Sequence, residues 1–289
     1  MQWQVGRVRV TRIMELESIG GTRFILPQVG SDDVKKHPWM TPHFADVGGG
    51  LKMTVHSLVL ETPDARIIVD TGLGNHKQGR TVPLWNDLDT DYLAQLTAAG
   101  SPPDRIDMVI CTHLHVDHVG WNTRLIDGRW VPTFPNAKYV FGDIEYAYWK
   151  SHSDSPHHAA VFADSVQPIV DAGLADLVAC NPQLTDEITL IPTPGHSPGH
   201  MSVLIESAGQ QALLIGDAAH TPLQMAHLDW STRFDSDGAR SAATRHELFS
   251  RFADSETLVI GGHFSAGHIR RDGEAFKFIA LEEQPAAGS

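Results

Sequence analysis

His113-Leu114-His115-Val116-Asp117-His118 places four metal-ligand side chains within six residues, directly behind the run Ile106-Asp107-Met108-Val109-Ile110-Cys111-Thr112. That run reads as a short buried strand, and the pattern breaks at Val119-Gly120-Trp121-Asn122. In extended backbone, residues two apart point to the same side, so His113 and His115 share one direction. A turn then lets Asp117 and His118 face a second position. Imidazole nitrogen with carboxylate oxygen suits zinc, and also manganese, iron or cobalt; with no cysteine in the cluster it is not a structural zinc knuckle. The chain carries 17 histidines, so a loop of solvated histidines is the bland alternative. Four ligand-type residues packed behind a buried strand favour a metal site.

Working outward, the 289 residues suffice for one large domain or two small ones, and one domain spanning 1–289 is expected because no linker or sharp composition shift interrupts the chain. Twenty-two lysines and arginines against 35 aspartates and glutamates give a net charge of −13, which argues against nucleic acid or an anionic membrane as partner. The first residues lack a signal-peptide core, and no apolar run is long enough to span a bilayer. A cytoplasmic location is the resulting expectation. Cys111 and Cys180 do not suggest a disulfide framework, and Cys111 reads as a small buried filler.

The first twenty residues alternate as an opening strand. Residues 20–50 lose periodicity and carry prolines, glycines, Phe24, Trp39 and Phe44, so they read either as a binding loop or as a meander packed on the body. A hairpin over 53–70 ends in Asp70-Thr71-Gly72, where Asp70 reads as a carboxylate that fixes a loop or orients a ligand, with direct metal ligation as the alternative. A helix is expected over 89–99, a small hairpin around Asp127-Gly128, and a helical insert over 142–173. The insert is broken near His152, His157 and His158, which read as a solvated interruption, with extra metal ligands as the alternative. Further on, strands end in Gly195-His196, Gly216-Asp217 and Gly262-His263; a helix covers 241–252 and a short one is expected over 274–283. Ligands at the ends of strands of one sheet converge on one pocket.

With these residues together the sequence resembles the metallo-β-lactamase superfamily, over about residues 50–265. The resemblance implies an α/β fold, an αββα sandwich of two mixed β-sheets face to face with outer helices, and a two-metal centre. It implies that His113, His115 and His196 hold one divalent metal and that Asp117, His118 and His263 hold the other, with Asp217 bridging. His200 is expected behind the ligands. The metals would be zinc, or manganese, iron or cobalt. Such a pair can share a water whose pKa falls from about 15.7 toward neutrality, giving a bridging hydroxide that attacks an electrophilic centre. Asp117 would protonate the leaving group or orient the nucleophile.

The nearest likeness is to the N-acyl homoserine lactonases and the methyl parathion hydrolase group, so lactone opening or cleavage of a related ester is the expected reaction. The best-known lactonases of this type place a tyrosine three residues after the bridging aspartate; here that position is His220, which could donate the same hydrogen bond or simply cap the next turn. Phosphotriester hydrolysis and hydrolytic aryl dehalogenation on the same metals are the competing expectations, the latter from the Val119-Gly120-Trp121-Asn122 run, and a non-catalytic metal-binding protein is the third. The substrate would be a small molecule with an apolar portion, for which Phe24, Trp39, Phe44, Trp121, Tyr146, Tyr148 and Trp149 are candidate lining, and a homodimer is possible.

Overall fold

The structure, a computed structural model, describes residues 1–152, 155–179 and 182–281. Cys180 and the end of the chain from 282 lie outside the described residues. The chain divides into two compact units. The first is Gln2–Glu15 with Val55–Pro182; the second is Leu16–Thr54 with Gln183–Ser289 and Met1.

A seven-stranded sheet is built from β1 (Gln2–Val5), β2 (Val8–Ile19), β3 (Lys52–Glu61), β4 (Arg66–Val69), β5 (Met108–Ile110), β8 (Lys138–Gly142) and β9 (Ala175–Val178), in the order β1-β2-β3-β4-β5-β8-β9. A separate hairpin, β6 (Thr123–Ile126) and β7 (Arg129–Pro132), precedes β8. The opening strand expected from the alternation is in fact the hairpin β1–β2, turned at Gly6 with φ 57°. Val8 and Val10 are buried while Arg9 between them is exposed, the period of two that a half-buried strand requires. The strands β4, β5, β8 and β9 are parallel to one another. The inner ones read as unbroken apolar runs because both faces of such strands are covered. The helix expected over 89–99 forms over Tyr92–Ala98 and buries Tyr92 and Leu96.

The second unit carries a six-stranded sheet: β10 (Ile188–Pro192), β11 (Met201–Ser207), β12 (Gln210–Leu214), β13 (Leu258–Ile260), β14 (Gly267–Asp272) and β15 (Ala275–Ala280), paired in sequence order. Only β12 and β13 run parallel, and the crossover between them contains the helix Gly238–Phe252. Asp237 caps that helix by accepting from the Arg240 N–H at 2.9 Å. Its buried face, Ser241, Thr244, Arg245, Leu248, Phe249 and Phe252, follows the three-to-four spacing of an amphipathic helix. Leu248, Phe249 and Phe252 enter the core of this unit with Leu213, Phe276 and Phe278. Two mixed sheets with helices are the α/β class the sequence reading expected.

Two expectations are corrected here. The helix read over 274–283 is instead strand β15 over Ala275–Ala280, and 282–283 lie outside the described residues. Gly273, at φ 64°, turns the chain, and β15 then pairs antiparallel with β14 in the register Ile269↔Phe278. Helix-forming Glu, Ala and Lys lose to this pairing because alternate Phe276 and Phe278 bury on one face. Phe44, proposed as pocket lining, is buried in the core against Phe264 and Phe278. Residues 20–50 are more ordered than their pattern suggests, with short helices at Thr22–Ile25 and Ser31–Lys35 and a single turn at Pro38–Met40.

Candidate metal centre

In the first unit the motif leaves β5 beside the end of β4. Asp70 follows β4 with φ 53°, its N–H donating to the Ile110 carbonyl at 2.9 Å. This turns its buried carboxylate toward the motif. That carboxylate accepts from the Thr112 N–H at 2.8 Å, from Thr112 Oγ1 at 2.9 Å and from His118 Nδ1 at 2.8 Å. Because His118 Nδ1 must carry the proton, the lone pair of the ring sits on Nε2. The same logic fixes His113. Thr112 Oγ1 spends its hydrogen on Asp70, so it accepts from His113 Nδ1 at 3.1 Å, and the lone pair of His113 is again on Nε2. That Nε2 lies 3.0 Å from His115 Nδ1. Asp117 Oδ1 lies 3.8 Å from His118 Nε2. Asp70 thus fixes the turn and the His118 ring.

Glu145 was not singled out from the sequence. Its buried carboxylate accepts from the Leu114 N–H at 3.1 Å and from the Trp149 indole at 2.6 Å, fixing the backbone between His113 and His115. Trp149 in turn packs edge-on against His115, 5.0 Å between centroids. Glu15 was missed too. It accepts from the Leu73 and Gly74 N–H groups at 2.5 and 3.1 Å and from the Trp121 indole at 2.7 Å. Burial, which outweighs these three donors, pushes its carboxyl up to about 7. Gly120 is held so close to this loop that a Cβ there would fall 1.9 Å from the Leu73 carbonyl carbon. Trp121 stacks on Tyr92 and serves the body of the unit. Outside the motif, His152 stacks on Tyr148 and His158 packs on Trp149, while His157 Nδ1 lies 3.2 Å from the Gly79 carbonyl.

In the second unit the remaining residues converge on one carboxylate oxygen. Asp217 sits in a turn after β12, His196 between β10 and β11, and His263 after β13. Because β12 and β13 are parallel, with Leu214 opposite Ile260, both strands deliver their residues to the same edge. The Gly262 N–H donates to the Gly216 carbonyl at 3.0 Å, and a Cβ at Gly262 would stand 2.5 Å from Asp217 Oδ1. His263 Nε2 lies 3.1 Å, His220 Nε2 3.2 Å and His196 Nε2 3.5 Å from Asp217 Oδ2. Each ring is held from behind or from the side: His196 Nδ1 lies 3.1 Å from Asp235 Oδ1, and His263 Nδ1 donates to the Thr54 carbonyl at 2.9 Å. His220 stacks on His263, 5.2 Å between centroids.

His220 is thus more than a turn cap. Its backbone N–H does donate to Gln224 Oε1 at 2.8 Å, but its side chain, with His196 and Asp217, forms a group whose ligand atoms lie within 4.8 Å of one another. Burial holds its imidazole down at about 3, so the ring is neutral at pH 7. His200 stands behind. Its Nε2 accepts from the Asp217 N–H at 3.0 Å, which puts the proton on Nδ1, 2.8 Å from Thr193 Oγ1. Both ring nitrogens are therefore engaged, and the ring orients the turn. Imidazole nitrogens around buried carboxylate are the donor set that zinc and related divalent ions take. The residues of both units fit such a cation.

A sequence profile described as the metallo-beta-lactamase superfamily matches residues 52–263. The chain belongs to this superfamily and is a metal-dependent hydrolase. It is 26% identical to an N-acyl homoserine lactonase of Bacillus cereus over 229 residues, 75% of this chain and 83% of the relative. It is 27% identical to the N-acyl homoserine lactonase AttM of Rhizobium radiobacter over 197 residues, 60% of this chain and 68% of that one. Among solved structures, AidC, described as a dizinc quorum-quenching lactonase in complex with a product, superposes with a TM-score of 0.80 at 20% identity, covering 99% of this chain and 98% of that one. The hydrolase AbOPH superposes with a TM-score of 0.80, also at 20% identity, covering 98% of each chain. These structures share the fold. Among the described residues no helix is long and apolar enough to cross a membrane.

Proposed function

We propose that the two sets of residues complete one binuclear centre and that the protein opens a lactone or cleaves a related ester. The observation that carries this reading is the convergence of His196 and His263, one from each ligand set, on Asp217 Oδ2, where a carboxylate shared between two cations would stand. The named lactonases among the relatives support the choice of bond. In this reading His113, His115 and His196 would hold one divalent ion and Asp117, His118 and His263 the other, and Asp217 would be shared between them. Zinc is the favoured metal. When bound, the pair supplies a water of lowered pKa as nucleophile and polarises the electrophilic oxygen.

The side chains do the rest. Asp70 and Asp235 keep His118 and His196 in the tautomers that leave Nε2 for the metal. His220, neutral and with Nε2 beside Asp217, would offer its one N–H from Nδ1 to the carbonyl oxygen. Asp117 would orient the attacking water or take its proton and pass it to the departing alkoxide. The presence of a histidine at 220 where lactonases of this type carry a tyrosine favours one second reading, a phosphotriester or aryl-halide substrate on the same residues.

The test is hydrolysis by metal-replete protein of an acyl homoserine lactone, a δ-lactone, an aryl phosphotriester, an aryl ester and a chlorinated aromatic, each with and without chelator. Chelator-sensitive lactone opening well above the other rates supports the proposal. Strong phosphotriester turnover or halide release with a flat lactone response replaces it with the second reading.

A further inference from the structure

Outside the residues assigned above, the second unit holds another pair of facing imidazoles. His37 Nε2 and His227 Nε2 are 2.9 Å apart, their rings nearly perpendicular at 87°. Both are half-buried and both are fixed by their backbone. His37 follows the helix Ser31–Lys35, its N–H donating to the Val34 carbonyl at 3.0 Å, and its own carbonyl accepts from Met40 at 2.9 Å. His227 ends the helix Leu223–Ala226, and its carbonyl accepts from the Trp230 N–H at 3.0 Å. The Trp230 indole lies flat on the His227 ring, 3.6 Å between centroids and 8° between planes. Trp39 closes the other side, edge-on to His37 at 5.9 Å.

At neutral pH a single proton links the two rings, one donating Nε2–H to the other's lone pair. When both rings carry their proton on Nδ1 instead, the two Nε2 lone pairs face each other across 2.9 Å. Two imidazole nitrogens at about 2.0–2.1 Å from one ion and at a right angle are roughly 2.9 Å apart, the separation of adjacent positions in octahedral or square-planar coordination. The surrounding charge favours a cation. Asp272 acts on His37 and Asp229 on His227, while Asp33 and Lys36, paired at 2.8 Å, largely offset each other. Burial lowers both imidazoles below the usual histidine range, so protons compete weakly near pH 7.5.

We infer that His37 and His227 form an additional site for a divalent transition metal, distinct from the hydrolytic centre, with water completing the coordination. Nickel(II) or copper(II) fits its geometry best. An ion there ties residues 31–40 to residues 223–230, the segment that follows His220.

The test uses metal-replete protein titrated with Ni2+ at pH 7.5. Bound nickel is counted after gel filtration and tryptophan fluorescence is followed, because Trp230 stacks directly on a ligand ring. His37→Gln and His227→Gln are compared, with circular dichroism verifying that each is folded. The expected result is one equivalent of nickel fewer in each variant than in wild type, at least tenfold weaker binding at that step, and loss of the associated quenching. Equal nickel stoichiometry and quenching in wild type and both folded variants overturns the inference. The difference between proteins is what counts, so the outcome is independent of how many ions the hydrolytic centre holds.

Discussion

The first unit offers its ligand-type residues from one six-residue turn, whereas the second gathers His196, Asp217, His220 and His263 from three separate connections. In the first, local backbone does the gathering: β5 stops, and Asp70 and Glu145 hold the turn in place. In the second, strand register does it, since the parallel pairing of β12 with β13 decides where Asp217 and His263 stand. A contiguous turn can fail by loosening; a register-built cluster fails by losing a shared anchor. The sharpest way to break the comparison is therefore Asp217→Ala. It removes the oxygen on which three rings converge and should cost ~10³-fold or more in hydrolysis together with metal occupancy. Activity and metal content both retained would end the binuclear reading.

Next come the carboxylates that set the tautomers, one in each unit. Asp70→Asn and Asp235→Asn should each weaken metal binding about 10–100-fold, measured by competition with a chromogenic chelator. Asp70 also holds Thr112 and, through it, His113, so its loss should be the greater of the two. The reverse order would show that the second unit depends more on orientation than on register. Smaller again is a pH effect confined to the first unit. The Glu15 carboxyl is raised from 4.5 to about 7 in the folded protein, so the folded state binds more protons than the unfolded one between those values. Stability then falls as pH rises through that window. Urea unfolding of wild type and Glu15→Gln at pH 5 and pH 8 should show the wild type losing on the order of 2 kcal/mol more than the variant across the interval. Parallel pH profiles would mean that the three N–H donors keep the anion in the native state. The smallest expectation is His152→Ala, whose exposed ring stacks on Tyr148: metal content unchanged and stability altered by less than about 0.5 kcal/mol by thermal melting.

What could be read from the sequence divides along the same line. The run 113–118 announces itself because its chemistry is contiguous, and His196, Asp217 and His263 could be picked out because each ends an apolar strand in glycine. Asp70 was legible for the same reason. Glu15, Glu145 and Asp235 carry no local mark: an acid in an alternating strand, at a helix head or in a loop looks like ordinary surface, and only tertiary approach gives each its N–H or imidazole partner. His220 was visible only as a departure from a tyrosine. The chain after Gly273 was misread because helix propensity is local while the pairing with β14 is not.

The parallel pairing of β12 and β13 has an evolutionary consequence. Parallel neighbours require a long return path, here residues 215–257, and both ends of that path are pinned by the register itself. The path carries His220, Phe234 and the helix Gly238–Phe252. Its interior can lengthen, shorten or exchange residues while Asp217 and His263 stay where the strands put them. Diversification of substrate preference among descendants of this chain should accordingly be written in that return path, and a library confined to 221–234, which leaves Asp235 on His196, is where a new specificity should be sought.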